Sequence, residues 1–259
     1  MGVNKQNLPI GVFDSGMGGL TVLRELKKSL PNESFLYLGD TARLPYGTKS
    51  RHTVVQYAHQ MASILISKGI KLLVIACNTA TTAALEELRK AHPNLPILGV
   101  IEPGARASIE GSHKKNILVL ATETTVRSDV YRSTIESKIN NVNITSLACG
   151  LFVALAEEGC INDEVAKATV KKYLANISFE NYDCILLGCT HFPVLKQVIA
   201  GYVGLNVVIV DSAIETAKEV THLLNIKDLS TTSRKSNTHY LVTDLPERFV
   251  RVGKIFLQN

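Results

Sequence analysis

Long apolar runs are missing from this chain: stretches such as 72–76 and 184–187 are far shorter than the roughly 20 residues that span a bilayer, so no membrane association is expected. Residues 1–9 carry no apolar signal region, and Gln6 stands where an N-myristoylation signal wants Ser or Thr, so the expected location is the cytoplasm. Paired cysteines are missing too. The five thiols, at 77, 149, 160, 184 and 189, form no C-x-x-C, which argues against a disulfide framework and leaves each thiol needing a local reason to be reactive. The net charge of +5 comes without a basic stripe interleaved with aromatics, so nucleic acid is not an expected partner. After Gly16 and Gly18, Thr21 occupies the third position of a G-x-G-x-x-G, and no Lys-Ser/Thr closes a P-loop, which argues against nucleotide binding. Cys77, Cys189 and His191 are potential zinc ligands, but no H-E-x-x-H or paired C-x-x-C supports them, and no metal is expected.

What is present is an ordinary globular composition, 46% hydrophobic and 20% charged, in 259 residues: enough for one large domain or two compact lobes. Apolar runs of strand length, at 9–13, 35–38, 72–76, 96–100, 117–121, 144–147, 184–188, 207–210 and 240–243, alternate with amphipathic stretches of helix length. Continuous apolar runs mark strands buried on both faces, so the fold expected is α/β, with parallel-rich sheets flanked by helices. A faint internal echo pairs Val74-Ile75-Ala76-Cys77 with Leu186-Leu187-Gly188-Cys189, and Val12-Phe13-Asp14-Ser15-Gly16 with Ile209-Val210-Asp211-Ser212-Ala213. Two similar lobes related by a pseudo-twofold follow from it, the first made of residues 1–99 plus 210–259 and the second of 100–209, with the site in the cleft between them. The same echo would arise if buried strands merely resembled one another in composition. The polar stretch 227–239 reads as a surface loop.

In parallel α/β sheets, ligands bind beyond the carboxyl ends of the strands. Three of these ends are polar: Asp14-Ser15-Gly16-Met17-Gly18-Gly19, Cys77-Asn78-Thr79 and Cys189-Thr190-His191. A thiol between a strand and a helix sits near backbone N–H groups and the positive end of the helix dipole, so a lowered pKa is expected for Cys77 and Cys189. Asn78 and Thr79 are suited to cap a helix ending at Ala91 before Pro93, and Pro193 suits the first turn of another. One such thiol alone would read as a core cysteine. Two in matching context point to acid/base work on opposite faces of one carbon, as inversion of an α-carbon requires. His191, Asp14 and Glu157 could take up the thiol protons, although His191 could equally be a structural histidine and Glu157 a surface acid at a helix end. The glycines after Asp14 would let the backbone approach a small substrate, with Ser15, Asn78, Thr79 and Thr190 offering amides and hydroxyls.

These residues, taken with Gly39-Asp40-Thr41-Ala42-Arg43-Leu44-Pro45-Tyr46-Gly47, Gly99-Val100-Ile101-Glu102-Pro103-Gly104 and Leu151-Phe152-Val153, resemble the glutamate racemase family, within the aspartate and glutamate racemases, over nearly the whole chain. The resemblance implies two α/β lobes, a homodimer, no pyridoxal phosphate, no metal, and production of D-glutamate for peptidoglycan. It makes Cys77 and Cys189 the catalytic thiols, acting on the D- and L-enantiomer respectively, with Asp14, His191 and Glu157 assisting. Substrate contacts would come from Asp14, Ser15, Pro45, Tyr46, Gly47, Asn78, Thr79, Thr125, Thr190 and His191. Two positions depart from the family pattern: Thr124 stands where Gly is common before Thr125, and Gly150 where Pro is frequent before Leu151. An aspartate racemase, a zinc-dependent hydrolase and a thiol redox or small-ligand binding protein remain as rivals.

Overall fold

A computed structural model describes residues 5–233 and 235–258; residues 1–4 of the N-terminal segment, Arg234 of the polar loop and Asn259 lie outside it. The first sheet is built from β1 (Ile10–Asp14), β2 (Phe35–Gly39), β3 (Leu72–Ile75), β4 (Ile97–Gly99) and a strand near the C-terminus, Thr238–Val242. The second holds β5 (Asn116–Ala121), β6 (Asn143–Ala148), β7 (Cys184–Gly188) and β8 (Val208–Asp211), which makes the C-terminal strand β9. Their orders are β4-β3-β1-β2-β9 and β6-β5-β7-β8, and every pairing is parallel. Helices α1 (Leu20–Ser29), α2 (Arg51–Ser67), α3 (Asn78–Ala91), α4 (Ile101–Gly111), α5 (Glu123–Arg127), α6 (Val130–Glu136), α7 (Leu151–Glu158), α8 (Glu164–Leu174), α9 (Lys196–Val203), α10 (Ala213–Ile226) and α11 (Pro246–Leu257) cover the sheets.

The expected strands fall where the apolar runs lie, because side chains on both faces of the sheets are buried. Along β3, Leu72 and Val74 join a core that also receives Leu118 and Leu120 of β5 and Ile185 and Leu187 of β7, while Leu73 and Ile75 face a separate cluster under α2 and α3. The internal echo has a structural counterpart. In each sheet the strand that leads to a thiol lies beside the strand that ends in Asp-Ser: β3 beside β1, and β7 beside β8. The two aspartates repeat one local bond, Asp14 accepting from the Gly16 amide at 3.0 Å and Asp211 from the Ala213 amide at 2.9 Å. Strand β8 runs across the boundary expected at 209/210 and pairs with β7 through Asp211. Helix α10, which follows it, packs on both α1 and α4 and so ties the two halves together.

Local chemistry fixes the helix starts. Ser50 caps α2 and Asp163 caps α8, accepting amide bonds from Thr53 and Ala166. For α3 the expected caps were Asn78 and Thr79, but the cap is Cys77, whose sulfur accepts from the Ala80 amide at 3.4 Å. Asn78 and Thr79 therefore lie inside the first turn, with their side chains free for other partners. No described helix is long and apolar enough to cross a membrane.

Candidate active site

Between the carboxyl ends of the two sheets lies a nearly closed cavity of about 20 Å³ lined by Ser15, Pro45, Tyr46, Gly47, Cys77, Asn78, Thr79, Glu157, Cys189, Thr190 and His191, together with Leu44, Thr122 and Val153. The first sheet delivers Ser15 and Cys77 from the ends of β1 and β3; the second delivers Cys189 to His191 from the end of β7. Both sulfurs thus open into one space. A wider chamber of about 450 Å³ adjoins it, sharing Leu44, Pro45, Gly47, Thr122, Val153 and Glu157 and adding Thr48, Gly150 and Tyr173. Two expected residues lie behind the wall. Asp14 is fully buried beneath Ser15, and Thr125 reaches the cavity only through Thr122, whose hydroxyl is 3.2 Å from its own.

The two thiols have different surroundings. Cys77 bonds the Ser15 hydroxyl at 3.5 Å, and burial together with the Asp14 carboxylate pushes its pKa up to about 12, against the direction expected from the helix terminus. The Ala80 amide does pull it down, but desolvation of a sulfur only 5% exposed outweighs one amide bond. Cys189 lies 3.8 Å from His191 Nδ1, and His191 Nε2 lies 3.0 Å from Glu157 Oε1. Burial opposes the imidazolium charge, yet the bonds to Cys189 and Glu157 and the Asp14 charge raise His191 to about 10. Burial raises Glu157, but His191 and Arg248 more than compensate and hold its carboxyl below the usual range. Glu157 is therefore a buried partner of His191, not a surface acid. Burial raises Asp14, opposed by His191 and by the amides of Gly19, Gly16 and Ser15.

Around the thiols, hydroxyl and amide groups join the two halves. Asn78 donates to the Tyr131 hydroxyl at 2.6 Å and leaves its own carbonyl oxygen buried without a partner. Thr79 and Thr122 hydroxyls meet at 3.0 Å. Tyr46 spends its hydroxyl on Asp40, which Arg43 also contacts at 2.7 Å, so Tyr46 offers the cavity its ring. Two of the glycines after Asp14 also permit close packing of the protein itself. A Cβ on Gly18 would come within 2.3 Å of His191 Nδ1 and 2.8 Å of Thr190 Oγ1, and one on Gly19 within 2.6 Å of Asp14 Cβ. Gly18 lets the end of β1 close against the opposite half, and Gly19 lets it close on the end of β3 in its own sheet.

Thr122, Tyr131 and Arg248 were not read from the sequence. Thr122 directly follows β5 and could have been found by the strand-end rule; Tyr131 and Arg248 carry no local signal. Among the described residues, no group of three or more His, Cys, Asp or Glu is arranged to hold a metal ion.

Two parallel α/β sheets meeting at a small cavity, with a thiol from each and an imidazole-carboxylate pair beside one of them, define an enzyme of acid/base chemistry. Residues 10–220 match the Asp/Glu/Hydantoin racemase family, and the chain belongs to it. It is 48% identical to a glutamate racemase of Geobacter metallireducens, an alignment covering 96% of this chain and 92% of the relative. The glutamate racemase of Francisella tularensis, solved in complex with D-glutamate, superposes with a TM-score of 0.91 at 38% identity, covering 98% of this chain and 95% of that one. A glutamate racemase isoform of Bacillus anthracis gives 0.94 at 34% identity over the same shares, 98% and 95%.

Proposed function

We propose that the chain interconverts L- and D-glutamate by moving the α-proton between two thiols, without a cofactor, and that it supplies D-glutamate for peptidoglycan. The observation that carries this reading is the common cavity of Cys77 and Cys189, each at a strand end of a different sheet. Cys77 rests as the thiol, ready to give a proton, while the cationic His191 beside Cys189 is a counter-charge for a sulfur anion. A thiol at Cys77 and a cation beside Cys189 suit the L-to-D direction. The Cys189 thiolate takes the α-proton of L-glutamate and becomes a thiol; the electron pair left on Cα spreads into the substrate carboxylate; the Cys77 thiol protonates the opposite face and becomes the thiolate. The reverse reaction exchanges the roles. With no electron sink, the barrier falls through fixed dipoles in a closed site. The Ser15, Thr79 and Thr190 hydroxyls and the unpartnered Asn78 carbonyl oxygen are the groups offered to the substrate carboxylates and ammonium, with Asp14 holding the turn that carries Ser15, with Pro45, Tyr46 and Gly47 closing over them, and with Thr125 holding Thr122.

The lobes are taken as 1–99 with 210–259, and 100–209, a division that falls within β8, whose pairing is to β7 of the second sheet. A homodimer acting in the cytoplasm completes the proposal, in keeping with the family resemblance. The test is incubation of the purified protein with L-glutamate in D2O, following deuterium at Cα and the appearance of D-glutamate. Cys77→Ala and Cys189→Ala should each abolish racemisation; full activity in either refutes the two-thiol assignment. Exchange into aspartate but not glutamate would give the site to the shorter substrate.

A further inference from the structure

The imidazole-carboxylate pair beside Cys189 does not end at Glu157. Its Oε1 faces His191, and its Oε2 faces Arg248 Nη1 of α11 at 3.4 Å. Arg248 also bonds the exposed Glu158 at 2.9 Å, but that contact is at the surface, where such a pair is worth little. Glu157 differs: its side chain is 6% exposed, and a buried carboxylate with one counter-charge removed is driven toward its neutral form. Helix α11 reaches the same pair a second time, because the Phe256 ring stands edge-on to His191 with centroids 5.4 Å apart. The helix is anchored by buried Phe249, Val252 and Phe256, and Arg24 of α1 donates to the Phe256 carbonyl oxygen at 3.4 Å. The charged groups facing the pair are Asp14 from the end of β1 and Arg248 from α11; Glu157 itself comes from α7.

We infer that Arg248 is a positioning residue for the Cys189 side of the reaction: it holds the Glu157 carboxylate so that His191 stays oriented on the Cys189 sulfur, a role that rests on the racemase reading above. Its loss should raise the barrier for the proton transfer at Cys189 and leave the one at Cys77 unaltered. Racemisation has an equilibrium constant of one, so kcat/KM must fall equally in both directions and cannot reveal which transfer suffers. Primary isotope effects can. When the Cys189 step becomes fully limiting, the effect on kcat/KM with α-deuterated L-glutamate, whose deuteron Cys189 removes, rises above the wild-type value. The effect with α-deuterated D-glutamate, whose deuteron passes to Cys77 in a step now at pre-equilibrium, falls from a kinetic effect to the smaller equilibrium effect of moving a deuteron from carbon to sulfur.

The experiment measures kcat/KM and both isotope effects for wild type, Arg248→Met, Arg248→Lys and Glu158→Gln. Arg248→Met should lose roughly tenfold in kcat/KM, part of the 10² to 10⁴ that a positioned acid/base group contributes, with the two isotope effects diverging. Arg248→Lys should restore most of the rate, and Glu158→Gln should leave all values unchanged. Should Arg248→Met not fold, the Lys variant carries the same test, with divergence of the same sign and smaller size. Unchanged kcat/KM, or a loss with both isotope effects at wild-type values, overturns the positioning role while leaving the racemase intact. A wild-type protein that racemises no glutamate overturns the reading beneath it, and this role with it.

Discussion

His191 is charged in a place where burial alone would neutralise it, and this couples the stability of the site to pH. Its folded pKa, about 10, lies above the ordinary imidazole value, so the stabilisation is fully present below about pH 6.5 as far as His191 is concerned and is lost as pH rises through about 10. Glu157 is shifted the other way, and its contribution is lost in acid as pH falls through its depressed value. The pair is therefore strongest between those limits, a window that includes neutrality. The difference in Tm between wild type and His191→Gln should be largest near pH 7 and shrink toward pH 10; a difference that grows with alkalinity would contradict the assignment. Gly18 tests the same imidazole from the other side. An added Cβ would sit 2.3 Å from Nδ1 and 2.8 Å from Thr190 Oγ1, so the buried ring and its neighbouring hydroxyl would both have to shift. Gly18→Ala should lower kcat at least tenfold while costing about 1–3 kcal/mol of stability, as overpacking does; steady-state kinetics beside denaturant unfolding separate the two.

At the scale of elements, α5 is the piece that reaches across. Thr124 donates or shares its hydroxyl with the carbonyls of Gly47 and Lys49, at 2.9 and 3.3 Å, and so fastens the second lobe to the turn that carries Pro45 to Gly47. Because glycine could not make this contact, Thr124→Gly should loosen the turn. With a net hydrogen bond worth about 1 kcal/mol, KM for glutamate should rise roughly fivefold with kcat little altered; a fall in kcat at constant KM would place Thr124 in the chemistry instead. Elements were legible in the sequence because burial on both faces of β1, β3, β5 and β7 writes itself as an unbroken apolar run, and because strand ends in parallel sheets gather. That placed Cys77, Cys189 and their neighbours without any tertiary information. What could not be read was distance across the chain: Arg248 meets Glu157 ninety-one positions away, and Tyr131 meets Asn78 fifty-three away. The thiol pKa went astray for a related reason. The helix terminus is local and visible, whereas the burial of Cys77 and the approach of Asp14 depend on how β1 and β3 pair.

For the whole molecule, the site is a property of neither lobe alone. The inner cavity of about 20 Å³ is walled by both, while the core behind it runs without a break from Val12 and Val74 of the first sheet to Leu120 and Leu187 of the second. Helix α10 bridges α1 and α4, and α11 spans from Tyr37 of β2, through Phe249, to His191, through Phe256. A continuous core and shared helices should make the lobes unfold together, so one calorimetric transition is expected. Glutamate bound between them stabilises the folded chain by mass action, about 2.7 kcal/mol at a hundredfold excess over Kd. For a chain of this size that corresponds to a rise in Tm of roughly 5–10 °C. The whole transition should move, because the ligand touches both halves of one cooperative unit. Two transitions, of which glutamate shifts one, would mean that the lobes are independent and that the substrate is held by one of them, leaving the second thiol without a face to act on.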